Sequence, residues 1–506
     1  MSDDLDDVAH QAEPTPARAA DLPTSRRALF AAAAAAGVAL LARPETAQAQ
    51  RVVRPHISRP QPPDAPGDSL LRLVSRITNG VTDQEMTLAR RLGFNGYLNY
   101  HLRHTTINDN EAAAFVAARF PNLQLAGTGL YQQEQNPLLN QLAEATLYRA
   151  VYSKRQLYER MVHFWSDHFN IYYPKVNYLK LLDDRLVIRR HALGRFPDLL
   201  RASAHSAAML EYLDNTRSRG RNVNQNYARE LMELHTMGAD GGYTQTDVEE
   251  VTRCLTGWTI QGRGNFFFDA SGHDNTAKTV LGTPIPARTG AAGVQDGEQV
   301  LTMLLAHPST ARFISTKLIQ WLLQYDPPPA LVTRVAATFT RTGGDIPSMI
   351  RDILTPANLL AAPAKYKQPY QLVVSAMRAT QARTINAAAI SGGQLRIIGQ
   401  PLFLWEDPDG YPDNVDWWAG LILQRWNFAG YLANLATGNT TVDVGPLMQG
   451  TMETRIETIN RRVFGGYMPA DLKQQLSAYL GVAPTSAARV RETLALALSS
   501  SAFQWY

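Results

Sequence analysis

The stretch NYARELMELHTMGADGGYTQ, residues 226–245, sets Asn226, Glu230 and Glu233 at four- and three-residue spacing. On a helix they form one polar stripe beside a packed side made by Leu231 and Leu234. Two carboxylates one turn apart can share a divalent cation, or one can raise the pKa of the other so that it serves as a general acid. Glu230 and Glu233 are therefore the candidate catalytic pair. Helical di-iron proteins use Glu-x-x-His, but here a second Glu stands in the third place and His235 lies off the stripe. The architectural alternative pairs Glu233 with Arg229 and leaves Glu230 to cap or bridge helices.

Two further stretches carry histidine and acid together. In MVHFWSDHFN, His163 and Asp167 are four apart and share a helix face, where a carboxylate can fix an imidazole tautomer. His168 points about 140° away from His163 on an ideal helix, so both reach one ion only across a distortion or a helix end. In FFFDASGHDNTAKTVLG, residues 266–282, two β-prone runs flank Ser-Gly-His-Asp-Asn, the pattern of a hairpin with His273-Asp274 at its tip and Lys278 following. His163, His168, His235 and His273 are the candidate metal ligands, and a divalent transition metal is the cofactor they would suit. The alternative in each place is a buried hydrogen-bond network or a solvated turn.

The elements that must position these groups read as helix after helix. Apolar residues recur at three- and four-residue spacing through YERMVHFWSDHF, NYLKLLDDRLVIRRHAL, residues 298–324, PYQLVVSAMRAT, WWAGLILQRWNFAGYLANLA and the last run from Ser486. Thr82 with Glu85, Ser153 with Gln156 and Thr246 with Glu249 have the spacing of capping boxes. Gly93 ends the first of these helices, Gly238 fits a helix C-terminal cap, and Asp240-Gly-Gly242 fits a tight turn. The expected fold is mostly α, a large multi-helix globular domain with a small β-hairpin insertion. No repeat of fixed period suggests a solenoid.

The chain has 506 residues, 45% of them apolar and 19% charged, a soluble globular composition. Its single cysteine, Cys254, permits no intramolecular disulfide and no Cys-x-x-Cys-His haem attachment. Ser25-Arg26-Arg27, the apolar run ALFAAAAAAGVALLA and Ala47-Gln48-Ala49 have the layout of a twin-arginine export signal with a small-residue cleavage site. The run is shorter than the roughly 20 residues of a bilayer crossing. The expected organisation is a signal peptide at 1–49, a Pro-rich linker at 50–67, and a single large helical domain at 68–506, with two lobes as the alternative. Folding before export is a route suited to proteins that carry a cofactor. The expected location is periplasmic. Residues 1–49 hold four Arg and seven Asp/Glu, so the remainder is more basic than the whole-chain charge of +4. Without a Lys/Arg block interleaved with aromatics no nucleic acid is expected, and an anionic polymer or envelope surface is the partner the charge suits. No Gly-x-Ser-x-Gly elbow and no Gly-x-x-x-x-Gly-Lys loop is present.

The run NQNYARELMELHTMGADGGYTQTDVEEVTRCLTGWTI, with HFWSDHFN before it and HDNTAKTVLG after it, resembles the bacterial family known as domain of unknown function 1800. The family's Asn-x-Asn-Tyr-Ala-Arg-Glu-Leu falls on Asn224–Leu231, its Gly-Gly-Tyr-Thr-Gln on Gly241–Gln245, its Thr-Gly-Trp on Thr256–Trp258, and its His-Asp with Lys-Thr on His273-Asp274 and Lys278-Thr279. The C-terminal GQPLFLWEDPDGYPDNVDWW departs from the family's pattern. Tyr411 stands where a Trp is usual, and Trp-Glu-Asp-Pro replaces a Pro-Pro pair. The resemblance implies an exported, largely helical protein, encoded beside a phosphatase- or sulfatase-like exported partner. Two functions follow as expectations: a metal-dependent periplasmic enzyme, hydrolase or oxidoreductase, built on the His/Glu cluster, or a non-catalytic envelope binding or assembly protein whose polar clusters fix helix register.

Overall fold

The computed structural model describes residues 62–63, 66–481 and 486–506. The export signal expected at 1–49 and most of the spacer expected at 50–67 lie outside the described residues. The described residues fall in one compact unit, and they are mostly helical with small antiparallel ribbons. None of the described helices is long and apolar enough to cross a membrane.

The helices follow from the spacing of their apolar residues. Ile346–Ile353 is representative: it buries Ile346, Met349, Ile350 and Ile353, one face of a 3.6-residue period, and Asp345 accepts the Ser348 amide at 2.9 Å as its N-cap. One apolar cluster runs through the molecule from Leu71 to Phe503 and contains Trp165 and Trp258, both fully buried. Asp83–Leu102 keeps its Thr82 cap, but Glu85 does not return the bond. Its carboxylate turns inward to Tyr97 Oη at 2.6 Å and Arg378 at 3.2 Å. Gly93, at φ 66°, kinks this helix and the chain resumes helical geometry beyond it.

Two local expectations shift. The capping box of helix Gln245–Leu255 is formed by Thr244 and Asp247, one pair earlier than Thr246 and Glu249. Helix Gln156–His168 follows Arg155, and Ser153 binds Asp109 and the Arg155 amide instead of closing a box with Gln156. The ribbon expected over 266–282 is two ribbons. Trp258–Gln261 pairs with Asn265–Phe268, and Lys278–Val280 pairs with Thr283–Ile285. Each β-prone run thus closes on its own neighbour. The second ribbon turns through Leu281 and Gly282, both at positive φ (49° and 73°), the backbone that fits a two-residue hairpin. Residues 271–275 are therefore a connection between ribbons, not a tip.

Three elements prepare the site. Helix Gln156–His168 buries Leu157, Met161, Phe164 and Trp165, and the Trp165 indole donates to the Ala192 carbonyl at 3.0 Å. Helix Asn226–Glu230 widens into a π-helical turn, Leu231–Thr236, and stops at Gly238, φ 83°. The loop after Gly399 is irregular through Asp413. The capping assignment makes a direct prediction for urea unfolding. Thr244→Ala should lower stability by about 1 kcal/mol, whereas Thr246→Ala should stay within about 0.5 kcal/mol of the parent. The reverse order would return the cap to Thr246.

Candidate functional site

Two of the three chemistry-bearing stretches, those of Asp167 and Glu230, border clefts shared with the loop 403–413. Asn170, just past helix Gln156–His168, donates to the carbonyls of Trp405 (3.0 Å) and Asp407 (2.7 Å). Tyr212 Oη donates to the Glu406 carbonyl, and the Tyr173 amide donates to the Phe403 carbonyl at 3.0 Å. Gly410, φ 74°, lies so close to Asp167 that a Cβ there would stand 2.3 Å from the Asp167 carbonyl oxygen. Glycine is thus required twice over, by conformation and by contact.

The first cleft is lined by Phe164, Asp167, His168, Lys317, Trp321 and Asp409, with Gln320, Tyr411 and Asp413 completing it. Asp167 is the chemically distinctive group. Burial pushes its carboxyl up to about 7, Asp413 adds to the rise, and a Tyr411 main-chain bond with Lys317 and Lys180 only partly offsets it. One fifth of its side chain is open to solvent. His163 Nε2 stands 3.7 Å from Asp167 Oδ2, beyond hydrogen-bond length. The His163 ring is stacked on Tyr370 at 4.5 Å and on Trp321 at 5.4 Å, and burial with Arg160 nearby drives it down to about 3. A neutral imidazole beside it leaves Asp167 without a counter-charge from that side.

The second cleft holds Glu230, half-buried among Tyr172, Lys175, Tyr212, Asn226 and Glu406. Its carboxyl is raised by burial, then by Glu233, and further by Asp409. Glu233 is the first neighbouring charge to bear on it, and Arg229 partly offsets the rise. Asp409 links the clefts, since it lines the first and bears on Glu230 in the second. Its Oδ1 accepts the Trp405 indole N–H at 3.1 Å.

The histidines are not gathered around one point. His168 and His235 come near, with ring centroids 6.3 Å apart, but His168 Nε2 faces the His235 carbonyl at 3.3 Å. His235 is buried with Nε2 unpartnered among the described residues, and burial lowers both rings, His235 to about 3. His273 belongs to a different network. Its nitrogens meet the Thr256 carbonyl (2.8 Å) and Asp296 (3.2 Å), while Asp296 also holds Lys278 at 2.7 Å and Arg288. His273, Lys278 and Asp296 are fully buried and line neither cleft. Among the described residues no three His, Cys, Asp or Glu side chains form a group able to hold a metal.

Sequence reading treated Asp167 as an orienter of His163 and passed over Lys317, Trp321, Asp409 and Asp413. Lys317 and Trp321 sit four apart on helix Pro308–Leu322, a spacing that puts a cation and an indole on one face. The dense Asp-Pro-Asp-Gly-Tyr-Pro-Asp of 407–413 was the signal for the loop.

The fold is that of a mostly helical, multi-helix protein with small antiparallel ribbons. Residues 72–505 match the family described as Protein of unknown function (DUF1800), and the chain belongs to that family. No curated protein and no solved structure matches the chain.

The raised Asp167 carboxyl has a signed consequence for stability. The folded chain keeps the proton up to about pH 7, whereas an unfolded Asp releases it near 3.8. Stability therefore falls as pH rises between those values, and the full penalty, at most about 4 kcal/mol, applies above pH 7. Asp167→Asn should stabilise the protein at pH 8 by roughly 1–3 kcal/mol, with the gain gone at pH 4. Urea melts at the two pH values measure this, and a gain that grows at low pH would contradict the assignment.

Proposed function

We propose that the protein is a hydrolase of the general acid–base kind, with Asp167 as its proton-carrying group and a hydroxyl-rich polymer as its substrate. The carrying observation is a partly open carboxyl held near pH 7 inside a cleft. A group half-protonated at neutral pH can give a proton to a leaving oxygen and take one from water. Such uncompensated carboxyls collect where chemistry is done.

The walls indicate the substrate class. Trp321 and Tyr411 line the same cleft as Asp409 and Asp413, and the Trp405 ring lies tilted against Tyr411 with centroids 4.8 Å apart. Sugar rings offer apolar C–H faces to aromatic rings and hydroxyl donors to carboxylates. Lys317 lies where it can steady negative charge on a leaving oxygen. Glu230, in the adjoining cleft, is the second carboxyl with a raised pKa. The reading is built on Asp167 rather than on an ion held by His163, His168, His235 and His273, and the fully matched His273 network supports the architectural alternative for that segment.

The test is release of new reducing ends from a panel of bacterial envelope and storage polysaccharides. The parent should cleave at least one, with activity changing around pH 7, and Asp167→Asn should lose about 100-fold or more in kcat with its fold retained. Equal activity in parent and Asp167→Asn, or none in the parent with no polymer bound, would sink it.

Export is inferred separately from Arg26, Arg27 and the apolar run after them, with the periplasm as destination and an exported phosphatase- or sulfatase-like protein as neighbour. In a bacterial host the parent should fractionate with periplasmic proteins and Arg26→Lys/Arg27→Lys with the cytoplasm. Unchanged fractionation would remove the twin-arginine assignment.

A further inference from the structure

A second cavity, of about 120 Å³, lies against the strand-like pairing of residues 365–367 with 504–506 and shares no lining residue with the clefts of Asp167 and Glu230. Its walls are largely apolar, supplied by Leu71, Val463, Phe464 and Phe503. Two of its polar side chains make no hydrogen bond among the described residues.

The first is Lys367, only 6% exposed. Its main chain is fully used, its amide donating to the Gln504 carbonyl at 2.9 Å and its carbonyl accepting Arg425 Nη2 at 2.8 Å. The ammonium has no hydrogen-bond acceptor among the described residues and rests 3.6 Å from the centroid of the Phe503 ring. Burial, with Arg425 adding to it, lowers this amine to about 7. The second is Gln371, 5% exposed, one turn further on and also without a side-chain partner among the described residues.

The C-terminal residue Tyr506 shares the cavity wall with them. Arg76 and Arg72 also line the cavity, but their guanidinium groups are engaged by main-chain oxygens of Tyr506, Pro363, Leu359 and Ala362. No described Asp or Glu lines it. An ammonium and a carboxamide open to an apolar chamber match a ligand with one anionic head and a compact apolar body. A dry cavity near 150 Å³ accepts benzene, which sets the size of that body.

We propose that this cavity binds a small carboxylic acid of about benzoate size, its carboxylate received by Lys367 Nζ and the Gln371 amide. A charge-assisted bond to the ammonium would supply the acceptor that the fold omits. The acid's ring or branched chain would lie against Phe464 and Phe503.

Calorimetric titration of the full-length protein with benzoate should give saturable one-to-one binding. Benzamide and benzylamine, of the same shape without the anion, should bind at least about tenfold more weakly, as should benzoate to Gln371→Leu. Lys367→Met should abolish binding. A measurement on the unaltered protein guards against misfolding of that variant: saturating benzoate should protect Lys367 from acetylation by acetic anhydride, read by peptide mass spectrometry. Absence of benzoate binding, equal affinity for benzamide, or undiminished acetylation of Lys367 would each overturn the proposal.

Discussion

The two acidic clefts depend on the seating of one loop against one helix end. Gly410 rests on the Asp167 carbonyl at a distance that admits no side chain, and Asn170, Tyr173 and Tyr212 hold the flanking main chain by hydrogen bonds to its carbonyls and to the Phe403 oxygen. These contacts satisfy backbone groups that an irregular segment would otherwise bury unpaired. They also bring Asp409, Tyr411 and Asp413 to Asp167, and this creates the cleft and the low-dielectric setting of its carboxyl. Without the loop, Asp167 would be an ordinary exposed acid at a helix end.

Elsewhere the fold matches its buried charges with care. Arg189 is held by Glu159 at 3.1 Å and Asp184 at 3.1 Å. Lys180 meets Asp183 at 3.1 Å, and Asp183 also accepts Ser206 at 2.8 Å. Asp296 serves Lys278, Arg288 and His273 together. Removing one member of such a group leaves a buried charge alone, which is why they act as fixed joints. Asp167, Glu230 and Lys367 differ from these pairs, each with a pKa moved chiefly by burial, as are those of the buried guanidinium groups of Arg76, Arg149 and Arg425.

Much of the architecture was legible in the sequence because it is local. Helical periodicity, the Gly238 stop and the four-residue spacing of His163 and Asp167 are all set within a turn or two of chain. The errors were local too, but ambiguous: Thr244 and Thr246 each stand three residues before an acid, and only the packing of Val248 and Val251 decides which begins the helix. The ribbons were misjoined because β-prone runs carry no mark of their partner, whereas the positive φ values at Gly262, Gly264, Leu281 and Gly282 belong to the turns that choose it. The site was legible only in part. Glu230 and its coupling to Glu233 sit on one helix. The raised carboxyl of Asp167 depends on its burial and then on Tyr411 and Asp413, and the His273 ring is held by Asp296, separations that no spacing rule reports.

The π-helical turn at Leu231–Thr236 shows how the two levels connect. A wider turn rotates the residues beyond it relative to an α-helix, so Glu230, before the turn, faces the cleft while His235, within it, is driven into the interior beside His168 and Phe169. Met232 accepts both the Met237 and Gly238 amides, at 2.8 and 3.2 Å, which closes the turn and satisfies its end. Such turns are less favourable than regular helix and persist where packing or function holds them. Here the turn separates an acid that faces solvent from a histidine that does not, and a stripe that looks continuous in sequence is divided in space.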